Sequence, residues 1–223
     1  MKLFPMARRL SHGALLALAM VLLAIPMAQA TKLKKQNLVD LISQSDSIIA
    51  GTVKKVSDGI DAKGVPYTEV TIAVGATAKG KVEKQKDYTF RQFGLLEPRT
   101  YPNGHKLLAM TPEAFPTWRE GEYVVAFLFR PASRTGLQTT VGLAQGKFSL
   151  ANERMANDFN NAGLFDGVDI DPALLTREEQ AMLRSAGPVD MRTFMGLVGR
   201  TVEKRWIEGG QMKNGQLQNG EMK

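Results

Sequence analysis

Apolar and polar positions change their period several times along the chain. Over residues 37–44, Leu38, Leu41 and Ile42 recur at i, i+3 and i+4, the spacing of a short amphipathic helix, and Ser45-Asp46 ends it. Residues 48–56 read as a strand in which Gly51 points to a bulge or a close backbone approach. Asp58-Gly59 and Lys63-Gly64 are turn signals. Past Pro66, Thr68, Val70, Ile72 and Val74 alternate strictly with Glu69, Thr71 and Ala73, and this β-branched period of two predicts a second strand. Lys79-Gly80-Lys81 turns the chain, and residues 88–93 alternate again as a third. A long, proline-punctuated connection covers residues 94–121. The apolar run 123–129 has the length of a buried strand, and residues 137–150 predict a fifth strand broken at Gly142 or Gly146. Short strands with glycine-rich turns after one small helix point to a closed antiparallel barrel or a sandwich.

The last third is different. Residues 153–171 are polar with a few apolar anchors, Phe159, Leu164 and Phe165. Thr176-Arg177-Glu178-Glu179 has the pattern of a capping box opening a short helix that stops near Gly187. Asp190 can cap a second helix, with Met191, Phe194, Met195, Val198, Val202 and Trp206 on one face, the stripe of a helix packed on a core. From Gly210 the chain repeats loosely every five residues in Gln, Asn, Gly, Lys and Met, so residues 209–223 are expected to be a disordered tail. The expected division is therefore 31–152 for the β domain, 153–208 for a helical C-terminal appendage and 209–223 for the tail.

Composition and charge alter this picture at the start of the chain. Lys2, Arg8 and Arg9 precede an apolar run over 14–25, and Ala28-Gln29-Ala30 supplies the small residues a signal peptidase accepts. Residues 1–30 thus read as a cleaved signal peptide, with cleavage after Ala30, delivery to the periplasm or the medium, and no stable membrane anchor afterwards. The run is too short for the ~20 residues of a bilayer-spanning helix. The chain has 29 basic and 22 acidic residues; without the leader's three basic residues the balance falls from +7 to +4, so part of the basic excess is a targeting device. There is no Cys, which removes disulfides, thiolate nucleophiles and Cys-zinc sites.

The order of these features resembles an OB-fold barrel of the netrin-like and tissue-metalloprotease-inhibitor type, as found in exported bacterial domains. The likeness is carried by residues 46–53 (DSIIAGTV), 67–74 (YTEVTIAV), Lys79-Gly80, 115–128 with Trp118 and Gly121-Glu122, and 141–148 (VGLAQGKF). Over roughly residues 36–152 it implies a five-stranded OB-like antiparallel barrel; the whole fold is expected to be mainly β, with a short N-terminal helix and a C-terminal two-helix appendage. In the animal inhibitors an N-terminal cysteine chelates the protease zinc. Here the expected N-terminus is Thr31 and the chain lacks Cys, so that mechanism does not carry over.

Few residues suggest chemistry. The run Gly142 to Phe148 has three residues between its glycines and Phe after Lys147, where a phosphate loop needs four and then Ser or Thr. His105 is the one His outside the leader, too few for an imidazole zinc site, and no nucleophile elbow accompanies it. Asp158, Asn160, Gly163, Asp166 and Asp169 fall at EF-hand-like spacing, but Ala162 and the short Asp169 replace ligands, so an Asx-rich loop is expected over calcium. Tyr88, Phe90 and Arg91 resemble a nucleic-acid platform, yet export removes that partner. The expected function is an exported, non-catalytic binding or accessory module with a protein partner in the cell envelope, no catalytic, cofactor or metal residues, and no nucleic acid. Its rivals are a partner or inhibitor of an envelope metalloprotease, from the fold resemblance, and a carboxylate-based hydrolase using Glu69, Glu97, Glu120 or Glu122. The length and apolar content of residues 94–121 single out Tyr101, His105, Leu107 and Leu108, around the Pro102-Asn103-Gly104 turn, as candidate partner contacts.

Overall fold

The computed structural model describes residues 33–101 and 103–215; the expected signal peptide over 1–30 and the end of the expected tail lie outside them. Asn37 opens α1 (Leu38–Gln44) with a capping box: its side chain accepts from Asp40 N at 3.1 Å, and Asp40 answers at the Asn37 amide. Lys79 Nζ donates to the carbonyl of Ile42 at 2.7 Å and serves the open C-terminal end of this helix.

Three long strands follow as an antiparallel meander: β1 (Ser47–Ile60), β2 (Pro66–Lys79) and β3 (Asp87–Phe93). The register of β1 shifts at Gly51, where a Cβ would lie 2.1 Å from the Ala73 carbonyl oxygen, so only glycine fits the bulge. The expected turn at Asp58-Gly59 lies instead inside β1, where these residues pair with Thr68 and Tyr67. The turn forms at residues 61–65, because Asp61 Oδ1 accepts both the Lys63 and the Val65 amides at 2.8 Å. A short ribbon, β4 (Arg99–Thr100) and β5 (Lys106–Leu107), precedes β6 (Tyr123–Leu128), which pairs with β1.

The expected fifth strand is broken where its glycines stand. Residues 139–141 run beside the end of β6, with Val141 N donating to Phe127 O at 2.7 Å. Gly142, at φ +64°, leads into a 3₁₀ turn (Leu143–Gly146), and pairing resumes in β7 (Lys147–Ala151). Asn152 and Glu153, both at positive φ, then reverse the chain into β8 (Arg154–Ala156). After β9 (Val168–Ile170) and α2 (Arg177–Leu183), β10 (Val189–Asp190) adds to β8, and Asp190 caps α3 (Met191–Glu203).

The fold is mainly β, and its large sheet is open, with seven antiparallel strands in the order β10-β8-β7-β6-β1-β2-β3. Five strands were expected; β8 and β10 extend the sheet because the tight turn at Asn152 folds residues 153–156 back onto β7. Both faces are buried. On one, Ile48, Ala50, Val125, Phe127 and Phe148 pack against Leu38, Leu41, Phe194, Leu197 and Val198 from the helices. On the other, Ile49, Val53, Val70, Ile72, Phe90, Val124 and Leu128 pack with Trp118. The division at residue 152 therefore does not separate two packing units, since α3 closes the same core as α1 and the sheet. The tail expected from residue 209 is ordered in its first part. Met212–Asn214 form β11, paired with β9, and Met212 is completely buried. Among the described residues no helix is long and apolar enough to cross a membrane.

Candidate partner-binding ribbon

The connection over 94–121 is a two-stranded ribbon held at its base. Leu95 and Met110 exchange backbone hydrogen bonds at 2.8 and 2.9 Å, Arg99 pairs with Leu107, Thr100 pairs with Lys106, and Tyr101 N donates to His105 O at 2.7 Å near the tip. Leu95 is buried. On the return path Trp118 Nε1 donates to Gln92 Oε1 at 2.9 Å, Gln92 Nε2 donates to Pro116 O at 3.0 Å, and the indole meets Phe90 edge-on at 5.4 Å. These contacts bury both ends of the connection and leave its middle outside.

Asp58 is the tether between the ribbon and β1. Its side chain, 4% exposed, accepts the amides of Leu96 at 2.7 Å and Glu97 at 2.9 Å and pairs with the Arg99 guanidinium. Burial alone would raise the Asp58 pKa; the Glu97 amide, the Arg99 guanidinium and the Leu96 amide outweigh it and hold the carboxyl below its ordinary value. Between Arg99, Thr100 and Tyr101 on the ribbon and the Asp58–Gly64 stretch lies an open groove of about 550 Å³.

The four expected contacts lie on this ribbon but are not equivalent. Tyr101 is half-buried, with its hydroxyl 3.4 Å from the Gly64 carbonyl, and Leu107 is half-buried in β5. His105 is exposed, its amide held by Asn103 Oδ1 at 3.1 Å. Leu108 is 70% exposed, and Leu96 and Met110 join it at 48% and 38%. Length and apolar content located the ribbon; the role of Asp58 was hidden because Asp58-Gly59 reads locally as a turn.

Of the four candidate acids, Glu97 is exposed at the base of the ribbon, and the other three have structural partners. Glu69 pairs with Arg91 at 2.7 Å, and Glu120 accepts the Val56 amide at 2.9 Å. Glu122 is the most enclosed of the four acids considered: Lys147 Nζ lies 2.8 Å from both of its carboxylate oxygens, and Ser149 Oγ donates to it. The Lys147 ammonium also lies over the Trp118 ring at 5.4 Å, so the cluster ties the entry to β6 to β7 and to the returning connection. Asn157 and Asn161 organise the expected Asx-rich loop, each accepting the other's backbone amide at 2.9 Å. Among the described residues no three His, Asp or Glu side chains converge as a metal site would require. Tyr88 turns inward to Gln138, at 2.9 Å, whereas Arg91 lies over the Tyr67 ring on the opposite side.

In comparisons with known proteins, no family model matches the chain, and neither the curated proteins nor the solved structures yield a match.

Proposed function

We propose that the protein is an exported, non-catalytic binding or accessory module whose partner is a protein of the cell envelope. One observation carries this reading: the ribbon is tied down by Asp58 and by both of its ends, yet it holds Leu96, Leu108 and Met110 out to solvent. Exposed apolar side chains on a fixed scaffold favour association, because the entropy of ordering the loop is already spent. The leader pattern supports export.

The meander β1-β2-β3, the return of residues 138–141 beside β6, and the hydrogen bond from Gln138 N to Arg91 O at 2.7 Å are consistent with an OB-like barrel joined by one thin contact. A photo-cross-linking residue placed at position 108 in cells, with position 213 as a control, tests the function. Specific protein adducts at 108 and none at 213 are expected; silence at 108 overturns the reading.

A further inference from the structure

The outer strand of the ribbon has a chemistry of its own. In antiparallel ladders, hydrogen-bonded and non-bonded pairs alternate. Tyr101 and His105 are hydrogen-bonded, so Arg99–Leu107 is a bonded pair and Thr100–Lys106 is not. The N–H and C=O of Lys106 therefore point away from β4, toward solvent. Just beyond them stands Leu108, the most exposed of the large apolar side chains described, with Met110 following.

We propose that residues 106–110 receive an extended apolar segment of another protein, one that carries a carboxylate for Lys106. The assignment rests on the ribbon being the binding element. Main-chain groups at a strand edge are met by another extended chain, and exposed alternate side chains supply the selectivity. At this edge the exposed charge is that of Lys106. Lys106 has no ion-pair partner among the described residues, while the nearby carboxylate of Asp58 is occupied by Arg99 and two amides, and that of Asp61 by two amides.

Two other occupants fit less well. Leu96, Leu108 and Met110 together expose an area on the order of a few hundred Å². A stable dimer buries roughly 800 Å² on each partner, so a second copy gains too little from this patch. A lipid surface is disfavoured by the tip, where Asn103, Gly104 and His105 are exposed and the apolar side chains sit nearer the base.

The test selects ten-residue peptides from a random library on the full chain. Selected peptides are expected to alternate apolar residues and to carry Asp or Glu. Leu108→Asp should weaken a selected peptide about tenfold or more, the cost of losing one central apolar contact. Lys106→Glu should weaken it too, and replacing the peptide's acid with Lys should restore binding to that variant. Amide exchange on the free variants confirms that the ribbon stays folded. Peptides indifferent to both substitutions overturn this assignment while leaving cross-linking at 108 intact; a silent cross-linker defeats the underlying function itself. Sedimentation showing a Leu108-dependent dimer, or Leu108-dependent binding to phosphatidylglycerol vesicles, also overturns it.

Discussion

At the scale of single residues, charges hold segments that the hydrophobic pattern alone leaves loose. Asp58 is the clearest case. Because its pKa is lowered in the folded chain, its stabilisation is present above the ordinary value of about 3.9 and is lost as pH falls through the lower folded value. Amide exchange at Leu96 and Glu97 should therefore accelerate only below about pH 4, the range in which that carboxyl takes up its proton. Asp58→Ala should bring the same acceleration at neutral pH, lowering the local opening free energy by ~1–3 kcal/mol as the two amides and Arg99 lose their acceptor. Unchanged exchange in the variant would show that the tether is not what holds the ribbon. The pair Glu122–Lys147 makes a sharper demand, since the Lys147 side chain is only 3% exposed. Lys147→Met leaves Glu122 without its ammonium and should cost ~3–5 kcal/mol in chemical denaturation, with the double variant Lys147→Met/Glu122→Leu recovering part of the loss. Neither role was legible in the sequence, because a partner 25 or 41 residues away leaves no local periodicity.

Elements were legible where one face decides them. The alternation in β2, the spacing of α1, the capping box of α2 and the Asp190 cap of α3 all follow from period and cap chemistry, and each stands where expected; the buried stripe of α3 differs in detail, with Leu197 and Thr201 joining Phe194 and Val198 and with Trp206 beyond the helix end. The failures share a cause. β8, β10 and β11 have two or three residues each, too few to show a period, and they exist because a neighbour offers an edge. The five-residue repeat hid β11 most thoroughly, since Gln, Lys and Asn conceal one anchoring methionine. Met212 is wholly buried, and its sulfur accepts from Thr201 Oγ1 at 3.6 Å. Met212→Ala should therefore cost ~2–5 kcal/mol, the range for a buried Met cut back to Ala, whereas Lys213→Ala should stay within ~0.5 kcal/mol. Equal thermal melts for the two variants would return this segment to the status of a tail.

For the whole molecule, the decisive feature is a sheet buried on both faces by segments far apart in sequence. Phe148 of β7 meets Phe194 of α3 at 5.1 Å between ring centres, and Phe127 of β6 meets it at 6.3 Å. Residues 153–215 thus supply one wall of the core, and a chain ending at residue 152 exposes Phe127, Phe148, Leu38 and Leu41 together. Each such side chain forfeits ~1.5–3 kcal/mol when it returns to water. Four of them are comparable with the ~5–15 kcal/mol that stabilises a typical domain. The fragment 31–152 is accordingly expected to aggregate or to show a broad, non-cooperative melt, while the full chain melts in one transition. Phe194→Ala in the full chain should cost ~3–5 kcal/mol without moving the ribbon, because the ribbon belongs to the opposite face with Trp118. A cooperative melt from the isolated fragment would mean that the sheet closes its own core and that the helices are an appendage after all.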